Sequence, residues 1–482
     1  MTPAQAQLIA AIQSRFGPKS VVTDPAAIAP WLTDWRGRWT GAAPAILAPA
    51  KTDEVAVMIA LASAGGVSLV PQGGNSSMVG GATPPADGSA LILSLRRMNR
   101  VRAIDVEANL ATVEAGVILA DLHAAAVAAG RRFPLTLGAR GSATIGGLVS
   151  TNAGGTQVLR WGTMRGLVAG LEAVLPDGAV HDGLVPLKKD NRGYDINGLL
   201  IGAEGTLGVV TAATLKLAPA IGTRTVAWAG LASPHDGLRL LRMVEQRTDA
   251  VESFEIIPGD SLALVLRHIP GTRAPLLREH RWHVLIEAVA TDPADTSVAH
   301  TIEELLGSAL SEGIVADAVV AASEAQAEAF WRIRDSLSEA ERAGGPAAQH
   351  DISVPVAGMP DFMVEGARRV QAAFPGTHAT AFGHLGDGNV HFHVRAPAGA
   401  DRTRWYAEDA PRVTRFVDDL VVEAGGSISA EHGIGQMKIG ELARLGPATR
   451  VATLQAIKRA LDPAGLFNPG KLVPLAPPDQ RS

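Results

Sequence analysis

The chain has 482 residues, too many for one hydrophobic core and enough for roughly two to four domains. Its 43 Lys and Arg against 48 Asp and Glu give a net charge of −5, and no basic block or basic–aromatic stripe stands out, which argues against nucleic acid as the main partner. The lack of cysteine removes disulfides, thiolate-held iron–sulfur clusters, Cys-ligated zinc and a thiol nucleophile, so redox chemistry here needs a bound organic cofactor.

The N-terminal MTPAQAQLIAAIQSRFG lacks a basic stretch followed by a long apolar core and predicts a short amphipathic helix. Up to about residue 220 the chain is Gly-rich, with short apolar runs such as GVSLVPQ, ALILSL and LATVEAGV between turns, an α+β pattern. The most apolar long stretch, 198 to 218, carries Glu204, Lys216 and several glycines and does not suit a membrane span. A soluble, cytoplasmic protein is expected. Pro/Gly punctuation in LAPAIGTRT, 217 to 225, marks a domain boundary. Beyond it, helical SPHDGLRLLRMVEQRT, DTSVAHTIEELLGSAL and EAQAEAFWRIRDSLSEAERA interleave with strand-like RWHVLIEAVA and HDISVPVAG, as helices crossing one sheet in ferredoxin-like order. From about residue 421 the pattern predicts one more short strand, two helices and a terminal PAGLFNPGKLVP turn.

Three small-residue segments carry the first functional signal. PQGGNSSMVGG, 71 to 81, is a tight loop whose glycines let backbone N–H groups converge on an anion, although it is neither a G-x-G-x-x-G fingerprint nor a Walker loop. Alone, such a stretch is more often an ordinary loop. PLTLGARGSATIGGLVSTNAGG, 134 to 155, and GYDINGLLIGAEGTLGVVTAATLKL, 193 to 217, add two more, and together they suit a long anionic ligand such as a dinucleotide.

The second signal is AFGHLGDGNVHFHV, 381 to 394. Gly386, Asp387 and Gly388 form a turn feeding a strand on which Asn389, His391 and His393 share one face and Val390, Phe392 and Val394 the other. The histidines could hold a metal or could be polar residues of a surface strand. His384 and His391, across the turn, could converge on one ion if the turn brings a loop-borne His384 beside the strand.

GGNSSMVGG, GSATIGGLVSTNAGG, IGAEGTLGVVTAATLKL, HLGDGNVHFHV, SAEHGIG and LDPAGLFNPGK occur in this order in FAD-linked D-2-hydroxyacid dehydrogenases. Over nearly its whole length the chain resembles the D-2-hydroxyglutarate dehydrogenase branch of the vanillyl-alcohol oxidase/p-cresol methylhydroxylase flavoprotein superfamily. The resemblance implies an α+β protein with a two-subdomain FAD-binding domain of the p-cresol methylhydroxylase type over 1–220, a ferredoxin-like α/β cap or substrate domain over 221–420, and a C-terminal helical segment over 421–482 that returns to the flavin. Carried over, Gly73, Gly74, Asn75, Ser76, Met78 and Gly80 lie along the pyrophosphate, Gly141, Ser142, Ile145, Gly146, Asn152, Gly154 and Gly155 along the rest of FAD, and Asn468 reaches the flavin. No histidine sits in 71 to 81, where some superfamily members attach FAD covalently, so non-covalent FAD is expected.

The resemblance also implies a divalent metal, zinc (Zn2+) or another such as manganese or iron, on His384, His391 and Glu431, with a position open for substrate or water. His432 becomes the general base that takes the hydroxyl proton while hydride passes to flavin, and Arg334 the cation for the substrate carboxylate. Arg332, off the Arg334 face, is expected to be solvated. The chain departs from the branch where Gln349 stands in place of a lysine, His393 in place of an asparagine and Ser338 in place of a threonine. The missing charge at Gln349 leaves two substrates open. A dicarboxylate such as D-2-hydroxyglutarate needs His393 or His350 to supply the charge, whereas D-lactate or another monocarboxylic D-2-hydroxyacid does not. Expected partners are the small hydroxyacid, an acceptor (electron-transferring flavoprotein, quinone or cytochrome) and a second copy as homodimer. A direct oxidase, and a flavin subunit of a glycolate-oxidase-like complex, are the competing readings.

Overall fold

The N-terminal amphipathic stretch forms helix Pro3–Phe16, started by a capping box in which Thr2 and Gln5 satisfy each other's backbone amides. It opens a computed structural model that describes residues 1–475 and comprises two units. Unit 1 takes Met1–Gly155, Gly162–Ala220 and the chain from Glu431; unit 2 takes Thr156–Trp161 and Ile221–Ala430.

Unit 1 holds two main sheets. Strands β1 (Val21–Val22), β2 (Ile46–Leu47), β3 (Ser68–Gln72) and β4 (Ala90–Ser94) are ordered β1-β2-β4-β3, with β2, β4 and β3 parallel. A parallel sheet covered on both faces wants continuous apolar strands, and Leu69, Leu91 and Leu93 are fully buried or nearly so with Met58 and Ile59 of helix Thr52–Ala64. Strands β5 (Val101–Asp105), β6 (Leu110–Glu114), β8 (Val168–Val174), β9 (Val180–Gly183) and β10 (Val209–Lys216) make an antiparallel sheet in the order β5-β6-β10-β8-β9. Two residue pairs, β7 (Arg131–Arg132) and β11 (Ala218–Pro219), form a short ribbon. The last segment of the unit runs beside β3, where Phe467 bridges Leu69 and joins the same core.

Unit 2 is one seven-stranded antiparallel sheet of β12 (Thr223–Leu231), β13 (Val251–Pro258), β14 (Trp282–Ala290), β15 (Asp317–Val320), β16 (Ala347–Ser353), β17 (His378–His384) and β18 (Asn389–Arg395). Its order, β15-β12-β14-β13-β17-β18-β16, contains the 4-1-3-2 arrangement of a ferredoxin-like βαββαβ unit, with helices Pro234–Arg247 and Ser297–Ser311 as the crossovers. The fold class read from sequence is therefore the one observed. The C-terminal strand expected from about residue 421 is not: Leu420, Val421 and Val422 end helix Ala410–Glu423, whose buried Val413, Val417, Leu420 and Val421 recur at helical spacing, and only an isolated bridge, Ser353 to Ser427, follows. Among the described residues no helix is long and apolar enough to cross a membrane.

Candidate active site

In unit 1 the glycine segments pack on one another closely enough to explain several glycines without a ligand. A Cβ on Gly73 would lie 2.1 Å from Thr144 Oγ1, one on Gly74 1.7 Å from the Ser142 carbonyl oxygen, one on Gly146 2.7 Å from Ala115 Cβ and one on Gly155 2.3 Å from the Thr136 oxygen. Gly141 meets nothing within 4 Å. Ser76 and Met78 are half-buried in the first loop, Gly154 is buried, and Ile145 starts the buried helix Ile145–Ser150. Ser142 Oγ donates to the Ala139 oxygen. Asn152 Oδ1 accepts from the Arg165 amide at 2.9 Å.

Asn75 Nδ2 donates to the Thr33 oxygen at 2.8 Å, and Asn468 Nδ2 donates to the oxygens of Gly81 and Glu204 at 2.9 and 2.7 Å. This ties the first glycine loop, the IGAEGTLG segment and the C-terminal LFNPGK together. Asn75, Asn468 and Glu204 all hold positive φ, at 53°, 43° and 49°, the conformation asparagine tolerates best among residues with a side chain. Asn75 Oδ1, Thr144 Oγ1 and Asn468 Oδ1 are buried with no protein partner. Buried polar atoms are seldom left so. Three acceptor oxygens along small-residue loops fit a cofactor that brings its own N–H and O–H donors, as FAD does.

In unit 2 the register of β16, β17 and β18 fixes which side chains stand together, since directly opposed residues share a face. Ser353, Asn389 and His384 form one row; Asp351, His391 and Phe382 the next; Gln349, His393 and Thr380 the third; Ala347, Arg395 and His378 the fourth. His384 is the last residue of β17, so strand pairing across the LGDG hairpin brings it to His391 with ring centroids 5.6 Å apart. The histidine strand lies between two others and is not a surface strand.

Adjacent β13 brings Glu255 opposite His384. Glu255 accepts from His384 Nδ1 at 2.6 Å and from Arg334 Nε at 2.8 Å, and Arg334 Nη2 lies 3.0 Å from His384 Nε2. Burial raises the Glu255 carboxyl, but Arg334 and His384 outweigh it and hold it down at about 2. An ionised Glu255 can only accept, so His384 Nδ1 carries a proton, and Nε2 is the ring nitrogen turned toward the guanidinium. A carboxylate behind a histidine sets the tautomer and basicity that a metal ligand needs. Asn389 donates to Asp351 Oδ1 at 2.9 Å, and Asp351 Oδ1 lies 3.9 Å from His391 Nδ1.

Arg334, near the end of helix Glu324–Asp335, is thus a largely buried part of this face, while Arg332 is exposed and donates to the Pro270 oxygen at 2.8 Å. Ser338 is half-buried in the next helix, Leu337–Ala343, and Gln349 is half-buried opposite His393. His350 points to the other face, bonded to the Phe392 oxygen and Thr414 Oγ1 at 2.9 and 3.1 Å, so it is no substitute for a missing cation. Past the Ser353–Ser427 bridge the Ala430 amide donates to the Asp351 oxygen at 3.4 Å, and the next two residues of the chain are Glu431 and His432. Glu255 went unnoticed in the sequence, although a glutamate inside the apolar run VESFEIIP is the mark of a buried, partnered acid.

Residues 43–183 match the FAD binding domain family and residues 222–472 the C-terminal domain of FAD linked oxidases. The chain is 35% identical over 460 residues to a mitochondrial D-2-hydroxyglutarate dehydrogenase of Arabidopsis thaliana, covering 95% of this chain and 80% of the relative. It is 36% identical over 450 residues to a D-2-hydroxyglutarate dehydrogenase of Xanthomonas citri pv. viticola, covering 93% of each. A solved structure of p-cresol methylhydroxylase with substrate bound superposes with a TM-score of 0.75 at 14% identity, over 98% of this chain and 97% of that one. These matches, with the glycine-lined cradle and the ferredoxin-like sheet, make the chain a member of the FAD-linked oxidase family of flavin-dependent oxidoreductases, in the group of the D-2-hydroxyglutarate dehydrogenases.

Proposed function

We propose that the protein oxidises a D-2-hydroxyacid to the 2-oxoacid with non-covalent FAD and a divalent metal. The observation that carries the metal reading is the Glu255–His384 pair beside His391, a histidine backed by a carboxylate, with a second imidazole 5.6 Å away, centre to centre. His384, His391 and Glu431 hold the ion, a set of nitrogen and carboxylate donors that suits zinc, manganese or iron. When bound, FAD would supply the hydride acceptor and the metal would supply the charge that acidifies the substrate hydroxyl. Arg334, anchored through Nε on Glu255, provides the cation for the substrate carboxylate. His432 accepts the hydroxyl proton at an imidazole nitrogen. The acceptor expected for the electrons is an electron-transferring flavoprotein, a quinone or a cytochrome.

The tail of the substrate lies toward Gln349, His393 and Thr380, a hydrogen-bonding row. In the row beyond, the cations are matched: Arg395 Nε lies 3.4 Å from Glu341 Oε2, and His378 Nε2 donates to Asp260 at 2.7 Å. With these two cations already matched, a second substrate carboxylate would depend on His393, which favours a monocarboxylic, polar-tailed D-2-hydroxyacid over D-2-hydroxyglutarate. The test is anaerobic mixing of metal-replete yellow protein with D- and L-2-hydroxyacids while flavin absorbance is followed. Bleaching by D-lactate or a hydroxylated D-2-hydroxyacid at lower concentration than by D-2-hydroxyglutarate is expected. Preferred bleaching by D-2-hydroxyglutarate reverses the specificity, and no bleaching by any of them overturns the function.

A further inference from the structure

We propose that Glu204, in IGAEGTLG, is a positioning residue that sets Glu431 and His432 for the reaction by gripping the two backbone amides just beyond them. The inference rests on the function proposed above. Its Oε1 accepts from the Ile434 amide at 2.7 Å and its Oε2 from the Gly435 amide at 2.8 Å, so one buried carboxylate holds two consecutive N–H groups. A carboxylate is the only side-chain group that offers both oxygens as acceptors. The grip needs space as well: a Cβ on Gly433, whose φ is +81°, would lie 2.6 Å from Glu204 Oε1. Beyond it the loop closes on the first glycine segment, where the Val79 oxygen accepts from the Gln436 and Met437 amides at 3.1 and 3.2 Å.

Glu204 is itself fixed from several sides. It holds φ 49°, unusual for a residue with a side chain, and keeps it because its amide donates to the Ser150 oxygen at 2.8 Å and its carbonyl accepts from Asn468 Nδ2 at 2.7 Å. Burial raises its carboxyl, against the pull of the two amides, Lys438 and Lys471. Lys471 is lowered to about 8 by the same burial, which the charge of Glu204 opposes. A carboxylate so placed costs stability unless its partners are kept. A plain loop anchor could use any neutral acceptor; a buried acid is warranted where a loop carrying a ligand and a base must not drift, since a displacement of about 1 Å costs on the order of a hundredfold in rate.

The test is Glu204→Gln, which keeps the volume but turns an NH2 toward one of the two amides. With FAD and metal loaded, the maximal rate of flavin reduction is expected to fall about tenfold to a hundredfold, while KM changes less than about threefold because Arg334 is untouched; Tm falls, and the rate is read well below it on protein that retains its flavin. A wild-type maximal rate, or a rise in KM alone, overturns the inference. Should Glu204→Gln fail to hold flavin, Gly433→Ala, which pushes a methyl group against Oε1, decides. A slow rate with flavin retained supports the positioning role, and a wild-type rate, or activity lost only in proportion to flavin, overturns it. His432→Asn run alongside separates the two claims. If it reduces flavin at the wild-type rate the base assignment fails, whereas a slow His432→Asn with a fast Glu204→Gln sinks only the positioning role.

Discussion

Glu255 concentrates the chemistry of unit 2 in one side chain. It is 1% exposed and would be a large penalty by itself, yet each oxygen serves one partner, His384 or Arg334. Glu255→Gln removes the charge and leaves Arg334 buried without its anion, so a loss of about 3–5 kcal/mol in unfolding free energy is expected from denaturant titration of the metal-free protein. Metal affinity, measured by chelator competition, is expected to fall about tenfold to a hundredfold. Unchanged affinity would separate Glu255 from the metal. Neither Glu255 nor Glu204 was legible as functional in the sequence, because an acid in an apolar or glycine-rich run looks the same whether its partners come from nearby or from a segment 230 residues away, as Ile434 does for Glu204. His384, His391 and Arg334 stand out in the sequence through their motifs, and the structure shows what each is packed against.

At the scale of elements, the glycine loops do two different jobs that their composition does not distinguish. Gly74 lets two backbone segments touch, and Gly141 faces open space. Gly74→Ala is expected to disrupt the loop and release flavin, read as a loss of yellow colour after desalting, with a fall in Tm. Gly141→Ala is expected to leave the Tm of the flavin-free protein unchanged, so any loss of flavin there reports on the cofactor. A stable, fully yellow Gly74→Ala would contradict the packing described. Strand alternation in NVHFHV was correctly readable, since the two faces differ in polarity. The run LVVEAGG misled because three consecutive apolar residues fit the end of an amphipathic helix as well as a strand, and only Val417 and Val413, one and two turns earlier, decide it. The order β15-β12-β14-β13 followed from the helix–strand succession, whereas the three added strands, which carry the histidines, depend on a pairing of β13 with β17 that no local pattern announces.

For the whole molecule, stability in mild acid is set partly away from the site. His283 of β14 accepts from Trp228 Nε1 at Nδ1, 3.1 Å away, and is pushed down to about 4 by burial and by His280, whose ring stands 5.8 Å away and which faces Asp317 at 3.8 Å. The unfolded chain takes up this proton near pH 6.5 and the folded one near 4, so stability from keeping His283 neutral is intact above about 6.5 and is lost as pH falls toward 4, by about 3 kcal/mol at most. Urea unfolding of wild type and His283→Gln across this range checks it: the variant is expected to be less stable near neutrality but to show a shallower decline. Equal slopes would assign the acid sensitivity elsewhere.

The path of the chain through unit 1 sets a timetable. Residues Glu431 onward complete that unit, with Phe467 in its core and Lys458 donating to the Thr206 and Phe467 oxygens and paired with Asp462, yet they follow all of unit 2 in sequence. During synthesis the first 220 residues therefore wait, with part of their core exposed, until more than 200 further residues have been made. The core around the glycine loops is then closed only after the segment from Glu431 has been made.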